Sequence, residues 1–401
     1  MVLQDRLPRL VAQRSLLKRW ISRSAPHPLT IIFVFDFDDA EILTSSEEGD
    51  DGVSKMMDSM YQDLRGCSHR WMFIKADLTK KSAQLFNEDP VQAQLLQGAS
   101  FRLLRVRREE HPISFTTPKT ETVLELELIG SLGIPNRLLM GRSENLTKLT
   151  FIYSSLQLFL DAMTNAPNLT HCNILLPPGF LYPEYFPSPS PSRVIMKVLK
   201  SLTIYEPCWE GYTCILDHLL LPELDLFQMT SPPTSFTDYS YMGEYLNDTQ
   251  CVKLRRITLH NFPSQLSSVD FTLFPQLEDI EVHICANWNY IDFATDLLRP
   301  WIYTPDGLRV DRADVKLPSL RRFVVNGQLS FNVSPQATTE LMEILEWRSF
   351  NFNESSTVTT PLGEVARARL KHFVVMDEGR GIDHLLRLTR TARFKTLLVF
   401  D

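Results

Sequence analysis

Three things are scarce in this sequence: cysteine, long apolar runs, and positive charge in excess of negative. Six cysteines in 401 residues do not make a disulfide framework. With no secretory leader expected, they point to reduced thiols in the cytosol or nucleus. Met1 to Trp20 carries Arg6, Arg9, Arg14, Lys18 and Arg19 throughout and offers no uninterrupted apolar core for such a leader. The greasiest stretches are short. Leu29 to Phe37 is interrupted by Asp36, and Leu216 to Leu221 by Asp217 and His218. Neither is long enough to span a membrane. A net charge of −7 gives no overall basic field for nucleic acid.

Catalytic signatures are missing as well. The chain has no G-x-S-x-G, no H-E-x-x-H, no Walker loop and no C-x-x-C. Cys208, Cys214 and His218 fit no regular zinc spacing. Asp36, Asp38 and Asp39 end an apolar strand, and carboxylates so placed can hold a divalent cation in a metal-dependent transferase. Without a phosphate-binding loop nearby, that remains a remote alternative to a polar strand end. No enzyme, cofactor or metal site is expected.

What the sequence does contain is a repeated phrase: apolar, two free positions, apolar, one free position, apolar. It reads as Leu146-Leu149-Phe151, Leu169-Cys172-Ile174, Leu254-Ile257-Leu259 and Leu277-Ile280-Val282. Further copies are Trp71-Ile74-Ala76, Phe101-Leu104-Val106, Val123-Leu126-Leu128, Leu199-Leu202-Ile204, Leu221-Leu224-Leu226, Leu320-Phe323-Val325, Leu370-Phe373-Val375 and Phe394-Leu397-Val399. Start-to-start gaps cluster at 22 to 24 residues, the period of a leucine-rich solenoid.

The expected fold is therefore α/β: an irregular leucine-rich-repeat solenoid with a parallel sheet of about 12 short strands on its concave side and helices or loops on its convex side. Helices are expected over Ser154 to Met163, Thr338 to Trp347 and Gly381 to Leu388 from their apolar spacing. The usual Asn or Cys three residues past each phrase is nearly absent, with only Cys285 in place, so irregular curvature is expected. An N-terminal helix-strand-helix cap over 1–70 precedes the repeats over 71–401, with mobile loops near 44–54, 177–193 and 229–250.

Along a strand, alternate side chains face opposite sides. The free positions of each phrase therefore supply the candidate partner-binding residues: Lys148, Thr150, His171, Asn173, Arg256, Thr258, His260, Asp279, Glu281, His283 and His372. His260 and His283 hold equivalent places in adjacent phrases, as do His171 and His372.

The first hundred residues carry a more specific signal. Trp20-Ile21-Ser22-Arg23-Ser24 is followed by Pro28-Leu29-Thr30-Ile31, and some forty residues later by Cys67-Ser68-His69-Arg70-Trp71. This resembles the F-box proteins of mushroom-forming fungi, in which W-x-x-R-S precedes P-L-x-[IL] and a short helix ends in S-x-R-W. The resemblance implies the substrate receptor of a cullin-type ubiquitin ligase, its repeats selecting a target protein and its F-box binding a small adaptor. An F-box needs roughly forty residues before the W-x-x-R-S helix, and this sequence has some nineteen there. The expected chain is thus the recognition region without its F-box, wired to the adaptor only if an F-box is restored upstream. The alternative is an adaptor-independent repeat scaffold or decoy.

Overall fold

The computed structural model describes residues 6–34, 51–78, 93–103, 113–114, 125–129, 132–133, 144–152, 156–175, 193–205, 215–230, 246, 251–260, 270–283, 290–303, 306, 308–311, 316–326, 335–351, 357–360, 363–366, 368–376 and 398–399. The chain divides into two compact units, Met1–Pro177 and Pro178–Asp401. Each is α/β and built on parallel strands.

The first unit runs α1 (Arg6–Arg23), β1 (Leu29–Phe33), α2 (Asp51–Arg65), β2 (Trp71–Leu78), β3 (Gly98–Leu103), β4 (Glu125–Ile129), β5 (Lys148–Ile152), α3 (Leu156–Asn165) and β6 (His171–Leu175). These six strands pair in chain order, all parallel, beside a short separate pair of Ile113–Ser114 with Leu132–Gly133. The second unit runs β7 (Ser201–Tyr205), β8 (Leu226–Thr230), β9 (Arg256–His260), β10 (Asp279–His283), α4 (Tyr290–Leu298), β11 (Arg322–Asn326), α5 (Pro335–Glu346), β12 (His372–Met376) and β13 (Leu398–Val399). These strands also pair in chain order and in parallel.

Helices form where apolar residues recur every three or four positions. In α2, Met57, Met60, Tyr61 and Leu64 are all buried. This stripe is why Asp51 to Ser54, read as the end of a mobile loop, instead open a helix. In α5 the stripe is Leu341, Ile344 and Leu345, each at most 1 % exposed. Rings of Phe271, Phe293, Phe323 and Phe373 then follow one another through the second unit at centroid distances of 5.5 to 6.3 Å. The helix expected over Gly381 to Leu388 and the loops at 177–192 and 231–245 lie outside the described residues.

Most phrases land as expected. Leu149 and Phe151, Cys172 and Ile174, Ile257 and Leu259, and Ile280 and Val282 are buried, and they stand beside one another across their strand pairs. Three copies do not. Leu226 stands beside Ser201 and Arg256 on the polar face, whereas Phe227 and Met229 are fully buried. The phrase there is Leu224-Phe227-Met229. The sequence misleads because the buried Leu221 also sits three residues ahead of Leu224. At β3 the phrase is made by the buried Leu96, Ala99 and Phe101, while Leu104 and Val106 of the expected copy lie outside the described residues. Ala99 is too small to stand out in an apolar pattern. Leu398 stands beside Phe373 and Val399 beside Val374, one residue out of step with Phe394-Leu397-Val399, and a one-residue slip exchanges the two faces of a strand.

A fourth apolar position, not apparent in the phrase, lies three residues before its leucine. Ala93, Ala166, Leu221, Cys251, Phe274 and Leu317 are all buried there. The carbonyl of each accepts the N–H of the leucine, closing a turn. The next carbonyl contact sets the register. Thr147 O accepts the N–H groups of Thr170 and His171, and Lys200 O those of Asp225 and Leu226. Asp225, Arg255, Glu278 and Arg321 then do the same for the strand that follows each.

Two buried arginines tie helix ends to this framework. The Arg70 guanidinium donates to His27 O (3.0 Å), Ile21 O (3.2 Å) and Ser24 Oγ (2.9 Å). It satisfies carbonyls that the C-terminus of α1 leaves open. The Trp20–Ser24 and Cys67–Trp71 motifs therefore meet through one side chain. In the second unit Arg348, only 1 % exposed, donates to Leu298 O (3.2 Å) at the end of α4 and to Lys316 O and Leu317 O. Leu317 has φ of 51°, left-handed backbone that costs a branched residue roughly 1–2 kcal/mol. Burial and the Arg348 bond hold it there.

Arg70→Met and Arg348→Met are each expected to lower unfolding free energy by about 3 kcal/mol, because several buried acceptors lose their donor. Urea denaturation against an exposed control, Arg321→Met, checks this. The described cysteines Cys67, Cys172 and Cys251 are buried, and burial pushes the thiols of Cys67 and Cys172 upward. Site-mapped alkylation at pH 8 should leave all three unmodified until denaturant is added.

Candidate functional site

The outward face of the first unit is set by the register of β2 to β6. Lys148 stands beside Glu125 and His171, and Thr150 beside Glu127 and Asn173. Lys148 Nζ lies 2.6 Å from Glu125 Oε1. Asn173 Nδ2 donates to Thr150 Oγ1 at 3.1 Å. Lys148, Thr150, His171 and Asn173 line one groove of about 430 Å³ with Phe73, Ala99, Ser100, Glu125 and Leu149. Its far wall depends on a glycine: a Cβ on Gly98 would lie 2.2 Å from Phe73 Cε2, so the ring occupies space that only glycine leaves open. Phe73 remains 36 % exposed, an aromatic surface at one end of an otherwise polar groove.

Sequence reasoning placed Lys148, Thr150, His171 and Asn173 on this face but missed Phe73, Ser100, Glu125 and Gly98. Glu125 could have been found from its place one residue before Leu126. Phe73 could not, because an aromatic residue at a free position reads as part of the core.

Thr170 Oγ1 lies 2.9 Å from both Thr147 O and His171 Nδ1, which ties the His171 ring to the strand start.

The second unit presents a charged ladder. Arg256 stands beside Asp279 and Thr258 beside Glu281, and Arg256 Nη2 reaches Asp225 Oδ2 at 3.3 Å. Arg322 Nη1 lies 2.8 Å from both Asp279 Oδ1 and Glu281 Oε2. The other oxygen of Glu281 takes His283 Nε2 at 2.8 Å. His283 in turn stacks on His260, with ring centroids 4.2 Å apart and planes at 25°. His372 is exposed at the start of β12 and stands beside Arg322. None of the eleven expected residues is buried. Arg322 and Asp225 complete the ladder and were not foreseen, since their partners come from other strands.

Burial holds His260 below the ordinary histidine range, and the neighbouring His283 works the same way against the pull of Glu281. Burial would raise Glu281, but the hydrogen bonds from His283 and Arg322 outweigh it and leave the carboxyl below its usual range. Arg322 is correspondingly raised, burial being overcome by its two acidic partners.

Of the remaining candidates, His218 is buried beside Leu219, while Cys208, Cys214, Asp36, Asp38 and Asp39 lie outside the described residues. Among the described residues, no group of three or more His, Cys, Asp or Glu is arranged to hold a metal ion. No helix among them is long and apolar enough to cross a membrane. No protein-family model matches the chain, and no curated protein matches it.

A histidine held below its unfolded value near 6.5 favours folding in its neutral form. Its contribution is whole above that value and is lost as pH falls through it toward the lower folded value. The unfolding midpoint should therefore drop more steeply between pH 7.5 and 5.5 in the native protein than in His260→Gln. Parallel urea titrations at both pH values measure the difference, and equal slopes would remove His260 as its source.

Proposed function

We propose that this chain is a protein-recognition module: an irregular leucine-rich-repeat solenoid whose outward strand faces bind another protein. One observation carries the reading. Successive parallel strands are held in register, so that side chains at matching positions form continuous rows, from Glu125 through Lys148 to His171 and from Arg256 through Asp279 and Arg322 to His372. Such rows suit contact with an extended partner surface better than chemistry in a closed pocket. The groove beside Phe73 supplies what such contact needs, an exposed aromatic anchor among hydrogen-bonding groups.

The resemblance of the N-terminal motifs to F-box proteins of mushroom-forming fungi adds a role. On this reading the chain selects a target for a cullin-type ubiquitin ligase in the cytosol or nucleus. The contact of Arg70 with the α1 end supports the kinship of the two motifs, because it gives each a structural reason to accompany the other. An adaptor-independent scaffold would use the same faces, so adaptor binding separates the two.

The test is a quantitative pull-down from cells expressing the full chain. Two variants are compared with native protein: Lys148→Ala with His171→Ala and Asn173→Ala, and Arg256→Ala with Arg322→Ala. Partners that use these faces should fall at least tenfold in one variant, with circular dichroism unchanged. Undiminished recovery would move binding off the strand faces. Recovery of the small ligase adaptor with native protein supports the receptor role, and a retained target without adaptor supports the scaffold.

A further inference from the structure

We propose that the outer face of α1 is a docking surface for an acidic segment of a partner protein, held by Arg9, Arg19 and Arg23 around an apolar contact with Leu16 and Trp20. This surface lies apart from the strand rows and does not depend on the recognition role proposed for them.

Composition comes first. From Arg6 to Arg23 the helix carries six cations and no acid, in a chain whose net charge is −7. Like charges three or four residues apart on a helix, as at Arg19 and Arg23, repel one another. Relief has to come from outside the helix. Part of it is internal: Arg14 Nε lies 2.6 Å from Asp63 Oδ2 on α2, and Lys18 Nζ 3.5 Å from Asp63 Oδ1. Among the described residues no acid pairs with Arg9, Arg19 or Arg23.

The second consideration is placement. α1 packs against α2, and its half-buried residues are Leu10, Arg14, Leu17 and Ile21. At about 100° per residue, Arg9, Ala12, Leu16, Arg19, Trp20 and Arg23 share an arc of about 100° turned away from that contact. All six are exposed. Leu16 is 62 % and Trp20 46 % accessible, so two large apolar side chains one turn apart face solvent between arginines. Tryptophan and arginine dominate the centres of protein interfaces. The helix is also held in place, by Asp63 from α2 and by the Arg70 guanidinium on Ile21 O and Ser24 Oγ. A surface fixed before contact loses less entropy on binding.

Third, charge and apolar area together select the occupant. The wider apolar stripe of α1 is turned toward α2, and Leu16 with Trp20 alone buries too little to seat a helix in a lipid surface. A chain of net charge −7 is repelled as a whole by an extended polyanion such as nucleic acid. A short protein segment meets only the local field, within a Debye length of about 8 Å. Acids at its ends reach Arg9 and Arg23, about 21 Å apart along the axis, and an apolar residue between them covers Leu16 and Trp20.

The experiment follows the fluorescence anisotropy of a fluorescein-labelled peptide of glutamates and leucines, set at helical spacing, titrated with the full chain at pH 7.5. Binding should saturate and should weaken at least threefold between 50 and 200 mM salt. Affinity should fall at least tenfold when Arg9→Gln, Arg19→Gln and Arg23→Gln are combined, and likewise in Trp20→Ala. Arg321→Gln, at an exposed position of the second unit, should match native protein. Should Trp20→Ala fail to fold by circular dichroism, Leu16→Gln gives the same reading. A photoreactive benzoylphenylalanine at position 16 should cross-link the peptide, and one at the exposed position 195 should not. Equal binding of the matching lysine–leucine peptide, undiminished binding by the triple arginine variant, or no saturable binding at 50 mM salt would each overturn the surface. Flotation of native protein with phosphatidylserine–phosphatidylcholine vesicles, lost in the triple variant, would overturn it in favour of lipid. A cross-link from position 16 to the chain's own residues 36–50 in place of the peptide would overturn the partner.

Discussion

The structure depends on a shared backbone carbonyl. Ahead of a strand, one C=O accepts the N–H of the residue just before the next strand and that of the strand's first residue, as Arg255 O does for Glu278 and Asp279. Buried N–H groups must find acceptors, and at the starts of β6, β8, β9, β10, β11 and β12 two donors converge on one oxygen. That contact sets the longitudinal position of each strand against its predecessor. Register then decides everything on the surface: which side chain stands beside which, that Lys148 meets Glu125, and that His260 meets His283.

Arginine closes what this ladder cannot reach. A helix end leaves carbonyls without donors, and in each unit a buried guanidinium supplies them. Arg70 serves the end of α1, and Arg348 serves the end of α4 together with the turn at Lys316 and Leu317. Arg348 continues the spacing of Leu341, Ile344 and Leu345 in α5, so a charged residue occupies a place where the helix pattern asks for an apolar one. Its planar fork of five donors explains the exception, since no apolar side chain could satisfy three carbonyls from two separate segments.

Much of this was legible in advance. A phrase such as Leu277-Ile280-Val282 carries its own period of two, and burial follows because alternate residues of a strand share a face. The outward positions follow by the same logic, and the residues expected there are all at least partly exposed. The failures are equally physical. Ala99 is buried but too small to mark a phrase, and Leu221 is apolar for the sake of a turn rather than a strand. Phe73 lies across Gly98 only because the neighbouring strand lacks a Cβ at that point, a fact about two segments twenty-five residues apart.

The sequence by itself determined the period, the parallel α/β character and the alternation of buried and outward residues, because these are local consequences of side-chain direction. Only the tertiary structure decided which outward residues meet. The pairing of Arg322 with Asp279 and Glu281, the clasp of Arg70 on the residues around Ser24, and the stacking of His260 on His283 join positions 23 to 49 residues apart. Their separation reflects the length of the connection between strands, which no local pattern encodes, whereas the contacts along the strand rows reflect the register that the shared carbonyls impose.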